Sequence, residues 1–322
     1  MKAIVQDSYG TADVLELEEI DKPVAGGGDV LLRVQAGSAF IGDWHVMTGL
    51  PYVFRLVNGL REPKARVRGQ DVAGRVEAAG EGVTRFQPGD EVFGICHGSF
   101  AEYATARTDK IAPKPANLTF EQSAAVPTTG STALQAVRDK GKVKPGQKVL
   151  IIGAAGGVGT FAVQIAKAFG AHVTGVCSTS KVDLVRSIGA DDVIDYTRDD
   201  FAEMGRRYDL ILDIAGRRSV SHLRRALAPR GTLVIVGGEG GGRWFGGIDR
   251  QLRAQMLSPF VSQKLGTFVA KQNSENLIAL KELIEAGKVM PVIDRTYPLS
   301  DVPEAMRYVE AGHARGKVVI TV

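Results

Sequence analysis

The sequence predicts an α/β protein in which a doubly wound parallel sheet is joined to a second, mostly β domain. Three observations carry this. The buried-strand pattern of residues 149–152 runs into a glycine-rich turn and then an apolar series at helical spacing: Phe161, Ile165, Ala166 and Phe169. Strand-like and helix-like patterns alternate from about residue 119 to 270. Before them, the first 120 residues hold short β-like runs punctuated by glycine and proline.

Taken in order, β-like runs are expected at residues 2–5, 30–36, 72–79, 91–95 and 101–106. The parallel sheet is expected to take its strands from 149–152, 173–177, 193–194, 210–213, 232–236 and 266–269. The tail from 273 shows two helical stretches and two β-like runs, 292–297 and 317–322, and should return to the first domain. The expected domains are therefore 1–120 completed by 271–322, and 121–270. With 322 residues, 44% hydrophobic and 24% charged, the chain has ordinary globular composition and a sizeable core. A net charge of +4, without long cationic runs interleaved with aromatics, argues against nucleic acid as a partner and suits a small anionic molecule. No apolar run reaches the ~18 residues that a membrane span needs. Residues 1–10 lack a cationic leader followed by an apolar block, so a cytoplasmic location is expected. The two cysteines, Cys96 and Cys177, make no disulfide framework and fit a reducing compartment.

The turn after 149–152 reads Ala154-Ala155-Gly156-Gly157-Val158-Gly159, an Ala-x-Gly-x-x-Gly fingerprint. A Cβ there would hold the backbone away from a pyrophosphate, and the new helix directs its first N–H groups and dipole at one. Ala155, Gly156, Gly157 and Val158 are accordingly candidate cofactor-binding residues. Gly170 stands where a C-cap is needed, and residues 171–177 complete a βαβ unit that predicts a bound dinucleotide. An acid ending the second strand would bond a ribose 2′-hydroxyl and repel a 2′-phosphate. The strand instead runs into Cys177-Ser178-Thr179-Ser180-Lys181, so Ser178, Ser180 and Lys181 are expected to hold a 2′-phosphate and NADP (NADPH) is the expected cofactor. One charge-assisted contact of this kind contributes about 1.5–3 kcal/mol, a tenfold preference or more. Ser180 also reads as an N-cap of the following helix, and one residue can serve both purposes.

The chain resembles the zinc-independent, quinone-oxidoreductase-like branch of the medium-chain dehydrogenase/reductase superfamily. The resemblance rests on Met1-Lys2-Ala3-Ile4-Val5, Gly42-Asp43-Trp44, Gly69-Gln70-Asp71-Val72-Ala73-Gly74, Pro88-Gly89-Asp90-Glu91-Val92-Phe93-Gly94, Thr129-Gly130, the Ala155 to Gly159 turn and Gly316-Lys317-Val318-Val319, in that order. It implies a GroES-like catalytic domain, a Rossmann domain, and a cofactor lying in the cleft between them. It also implies a homodimer formed by extending the nucleotide-domain sheet through 266–269. The same resemblance implies cofactor contacts for Thr129, for Tyr196 near the 2′-phosphate, for the backbone of Val236 and Gly237 beside the nicotinamide, and for Lys317. Thr129 reads alternatively as a helix cap, and Lys317 as a solvated lysine starting a strand. Where zinc-dependent relatives carry metal ligands, this chain has Phe40 and Gln70, with no cysteine in 123–128, so no metal is expected.

Without a Lewis acid, reduction of a conjugated carbonyl or quinone is favoured over oxidation of an unactivated alcohol. The expected activity is thus NADPH-dependent reduction of quinones, enones or related activated carbonyl compounds, with a small molecule as substrate. An enoyl thioester reductase and a non-catalytic NADPH-binding protein are the alternatives. Tyr52, following Thr48-Gly49, is the candidate proton donor, in competition with water. Asp43 is the second acid–base candidate, although support of its loop ranks first for it. The cations Arg55, Arg61, Lys64, Arg66 and Arg68 read as a solvated loop or as steering charge for an anion. The glycine-rich segment 237–247, with Trp244 and Phe245, reads as a lid.

Overall fold

A computed structural model describes residues 1–238 and 242–322. Residues 239–241 of the segment expected to form a lid lie outside the described residues. The chain divides into two compact units, one of Met1–Ser131, Gln272–Gly287 and Pro291–Val322, the other of Thr132–Lys271 with Lys288–Met290.

The first unit opens with β1 (Lys2–Val5), paired antiparallel with β2 (Glu16–Glu19). The long β3 (Asp29–Ala39) follows, then the helices α1 (Ile41–Thr48) and α2 (Arg55–Asn58). Next come β4 (Asp71–Ala79), β5 (Glu91–Ile95), β6 (Tyr103–Arg107) and β7 (Ile111–Pro113). Helix α3 (Phe120–Ala124) is capped by Thr119, whose hydroxyl accepts the Gln122 N–H, and α4 (Pro127–Leu134) carries the chain into the second unit.

There the sheet is built from β8 (Lys148–Ile152), β9 (His172–Cys177), β10 (Asp192–Asp195), β11 (Tyr208–Asp213), β12 (Leu227–Ile235) and β13 (Lys264–Thr267), with helices α5 (Gly157–Ala168), α6 (Val182–Ser187), α7 (Val220–Ala226) and α8 (Ile248–Leu257). Its order is β10-β9-β8-β11-β12-β13, and every pairing is parallel. After Lys148, strand β8 is apolar and buried because helices cover both faces of such a sheet. Leu150, Ile152, Ile211, Leu233, Ile235 and Phe201 share its core.

The chain then returns to the first unit through α9 (Ser274–Glu285), β14 (Ile293–Pro298), α10 (Val302–Glu310) and β15 (Lys317–Thr321). The sheet there runs β14-β15-β3-β4-β5-β7, with β6 also on β3. One core cluster gathers Ile4, Met47, Phe100, Met306 and Ile320; another gathers Val30, Leu32, Val72, Val92 and Ile111.

Two expectations are corrected. The unit boundary falls at Ser131/Thr132 instead of residue 120, because α3 packs on β3, β4 and β5 and so belongs with the first unit. Strands β2 and β7 were not foreseen. The first reads Glu-Leu-Glu-Glu and is largely exposed, and the second is only three residues long, so neither carries a periodic apolar signal.

Candidate functional site

Strands β8 and β11 are neighbours, and the chain leaves β8 toward β9 on one side and β11 toward β12 on the other. Such a reversal opens a crevice at the carboxyl ends of the strands, where α/β sheets take ligands. The turn after β8 is pinned there, since the N–H groups of Gly153 and Ala154 both donate to the Val176 carbonyl, at 3.1 Å. Gly156, with φ −85° and ψ 177°, precedes the first turn of α5. A Cβ on Gly159 would lie 2.1 Å from the Gly153 carbonyl oxygen, so that glycine is demanded by the crossing of helix and strand. A Cβ on Gly156 would meet only that same oxygen, at 3.6 Å, an ordinary contact. The fold therefore does not need glycine at 156, and the space there, with the unpaired first-turn N–H groups of Gly157 and Val158, fits a pyrophosphate. Ala155 is buried.

Ser178, Thr179, Ser180 and Lys181 follow β9 as a short 3-10 turn, with Lys181 N–H donating to the Ser178 carbonyl at 2.9 Å. Lys181 stands at the N-cap of α6, so the expectation that Ser180 caps this helix is corrected: Ser180 sits inside the turn, exposed. Tyr196, half exposed, is brought to the same place by its N–H bond to the Cys177 carbonyl, 3.1 Å. Ser178, Ser180, Lys181 and Tyr196 thus gather at the ends of β9 and β10.

An acid is also there, which the reading along β9 alone missed. Asp195 ends β10 in register with Cys177. Its carboxylate accepts the Thr179 hydroxyl at 2.5 Å, the Thr197 N–H at 3.0 Å and the Thr197 hydroxyl at 2.7 Å. The Thr179 bond first, with the Thr197 bonds behind it, holds it below the usual carboxylate range against the opposing effect of burial. Only the register of β9 against β10 could have signalled it.

Val236 and Gly237 follow β12, and both N–H groups donate to the Asp213 carbonyl, at 3.0 and 3.2 Å. The Gly237 carbonyl accepts from Arg250 at 2.9 Å. The same guanidinium donates to the fully buried Asp213 carboxylate and, at 2.9 Å, to the Arg218 carbonyl. Burial raises the Asp213 carboxyl, with Arg250 and the Gly216 N–H pulling it back. Arg250 and Asp213 were not singled out from sequence, because the pair joins residues 37 apart.

In the first unit the candidates fall differently. Lys317 is 1% exposed, its ammonium 3.3 Å from the buried Asp71 carboxylate and 5.0 Å from the Phe40 ring centroid. Asp71 also accepts the Ser38 hydroxyl at 2.9 Å, the Thr128 N–H at 3.0 Å and the Thr128 hydroxyl at 2.5 Å. Lys317 is therefore held in a buried ion pair, and the alternative of a solvated lysine at a strand start is corrected. Thr129 is buried, and its hydroxyl donates to the Ala125 carbonyl one turn back, at 3.2 Å, so it is no cap. Its neighbour Thr128, which sequence did not single out, makes the polar contacts.

Asp43 is 6% exposed and accepts the Phe40 N–H at 3.1 Å, capping α1. Burial, and then the nearby Asp71 charge, push its carboxyl up to about 7. Tyr52 is half-buried at the start of a 3-10 turn, Tyr52–Phe54, with the Arg55 guanidinium 4.9 Å from its ring centroid. The basic loop does not act as one patch. Arg55 stacks on Tyr9 and Tyr52, Arg66 is paired with Asp7 and Glu18, and Arg68 is buried, leaving Arg61 and Lys64 exposed without a recorded ion pair among the described residues.

Among the described residues no group of three or more His, Cys, Asp or Glu side chains is placed to hold a metal ion. Among them no helix is long and apolar enough to cross a membrane.

A family profile described as zinc-binding dehydrogenase matches residues 188–320, and one described as alcohol dehydrogenase GroES-like domain matches residues 26–116. The chain is 36% identical to the mouse (Mus musculus) protein named NAD(P)H oxidoreductase RTN4IP1, mitochondrial, over 100% of this chain and 89% of that one. It is 34% identical to the 2-methylene-furan-3-one reductase of Solanum lycopersicum, over 99% of this chain and 79% of that one. The solved quinone oxidoreductase of Escherichia coli complexed with NADPH superposes with a TM-score of 0.87 at 25% identity, covering 100% of both chains. With its GroES-like and Rossmann units and its nucleotide turn, the chain belongs to the medium-chain dehydrogenase/reductase superfamily as a quinone-oxidoreductase-like member, an oxidoreductase that uses a nicotinamide cofactor.

Proposed function

We propose that the protein is an NADPH-dependent reductase of quinones, enones or related activated carbonyl compounds that works without a metal. The observation that carries this reading is the open space over Gly156 together with the hydroxyl, ammonium and phenol groups gathered at the ends of β9 and β10. The first turn of α5 holds the pyrophosphate, and Ser178, Ser180, Lys181 and Tyr196 hold the 2′-phosphate. The Arg250 bond fixes the Gly237 carbonyl and with it the backbone at the end of β12. When bound, the reduced nicotinamide supplies a hydride to an electron-poor carbon. Tyr52 donates a proton from Oη to the oxyanion or carbanion that then forms. The names of the tomato reductase and the Escherichia coli quinone oxidoreductase support this acceptor class.

The test is NADPH and NADH oxidation by purified protein against a panel of quinones, enones and enoyl thioesters, before and after a strong chelator. Turnover of a quinone or enone with NADPH, unchanged by chelation, is expected. Activity lost to the chelator and restored by zinc refutes the metal-free reading, and turnover of enoyl thioesters alone replaces the acceptor class.

A further inference from the structure

We infer that Thr179, with Thr197, sets the nucleotide preference by occupying the Asp195 carboxylate, which would otherwise compete with a 2′-phosphate. This rests on the NADPH reading and adds residues that the reading does not use. A carboxylate at the end of a strand in this part of a doubly wound sheet favours a bare ribose and repels its phosphate. Asp195 stands one strand over from the usual position, in register with Cys177, and the turn that carries Ser178, Ser180 and Lys181 also carries Thr179.

The two carboxylate oxygens are divided between the two threonines. Oδ1 takes the N–H and hydroxyl of Thr197, and Oδ2 takes the hydroxyl of Thr179. Arg198 approaches Oδ2 only to 3.6 Å. The acid is thus turned onto donors of its own chain, and its side chain is left 12% exposed. Removing the Thr179 hydroxyl takes from Oδ2 its short hydrogen bond, leaves it only the Arg198 guanidinium at 3.6 Å, and so frees an ionised oxygen that accepts a ribose 2′-hydroxyl and opposes a 2′-phosphate. Thr179 is itself exposed, so an isosteric valine there leaves the core untouched.

Calorimetry with adenosine 2′,5′-bisphosphate and adenosine 5′-monophosphate reads the site without turnover. Wild type should prefer the bisphosphate. Thr179→Val should weaken the bisphosphate at least about tenfold and leave the monophosphate unchanged or tighter. Adding Asp195→Asn to Thr179→Val should restore bisphosphate binding to within about threefold of wild type, which a merely structural role of Thr179 would not allow. A wild type that prefers the bisphosphate while Thr179→Val keeps that preference, or loses both ligands equally, overturns the inference alone. A wild type indifferent to the 2′-phosphate overturns the NADPH reading and the inference with it. Asp195→Asn alone, which leaves Thr179 in place, should keep or raise bisphosphate affinity. A tenfold loss there would make the carboxylate a scaffold and refute the proposal.

Discussion

Two glycines three residues apart in the nucleotide turn do different work, and substitution separates them. Gly159→Ala drives a methyl to 2.1 Å from the Gly153 carbonyl oxygen, so the helix must shift off the strand. We expect a loss of about 1–3 kcal/mol in stability, read by denaturant unfolding, along with nucleotide binding. Gly156→Ala meets nothing closer than 3.6 Å within the protein. Its melting temperature should stay within a few degrees while NADPH affinity falls about tenfold or more, because the methyl takes the room left for the pyrophosphate. Equal effects of the two substitutions would contradict the division. Asp43 offers a third test at this scale. Its folded carboxyl is raised from 3.8 to about 7, so the native state binds the extra proton and the unfolded state releases it. Stability from this group is present below about pH 4 and is lost as pH rises through about 7. Asp43→Asn keeps an acceptor for the Phe40 N–H and removes the titration. The variant should therefore lose less stability than wild type between pH 5 and pH 8, measured by urea midpoints at both.

Among the elements, the start of α4 is tied to three strands of the first unit by one carboxylate: Asp71 on β4 holds Ser38 of β3, Lys317 of β15 and Thr128 of α4. Lys317→Met leaves that buried charge without its cation, and a loss of about 3–5 kcal/mol is expected. Combining it with Asp71→Asn should recover most of the loss, and a double variant no better than the single would show that the ion pair is not the cause. This knot marks the limit of what the sequence discloses. The unit β8, turn, α5, β9 was legible because a buried strand, a glycine turn and a helix period lie within thirty contiguous residues. Asp71 was visible as part of a motif, but its partners lie 33, 57 and 246 residues away, and no local pattern pairs them. Lys317 reads along the sequence as a cofactor contact or a solvated lysine for the same reason, and Asp195 is passed over because it sits on the strand beside the one being read. Strand β2 escaped because its place is fixed by main-chain pairing with β1, which its exposed glutamates do not advertise.

At the level of the whole molecule, the two edges of the six-stranded sheet are finished differently, and the contrast argues for a second copy of the chain. The β10 edge is charged, with Asp192 near His172 and Arg206, the kind of border that discourages strand addition. Strand β13, which pairs only with β12 among the described residues, carries a single exposed charge, Lys264, ahead of Leu265, Gly266 and Thr267. Around it the second unit exposes Leu252 at 53%, Met256 at 73%, Phe260 at 84% and Val269 at 92%. An apolar border on an open edge is a ready surface for pairing or for aggregation, and we propose that a twofold partner covers it, joining two sheets through β13. Light scattering behind a sizing column should then give a dimer for wild type and half that mass for Phe260→Asp combined with Val269→Lys. The residues proposed to hold the 2′-phosphate stand at the ends of β9 and β10, away from that edge in strand order, so the monomeric variant should bind adenosine 2′,5′-bisphosphate within about threefold of wild type. A wild-type chain that runs as a monomer at micromolar concentration ends the argument for the edge. A charged variant that stays dimeric moves the interface elsewhere on the molecule.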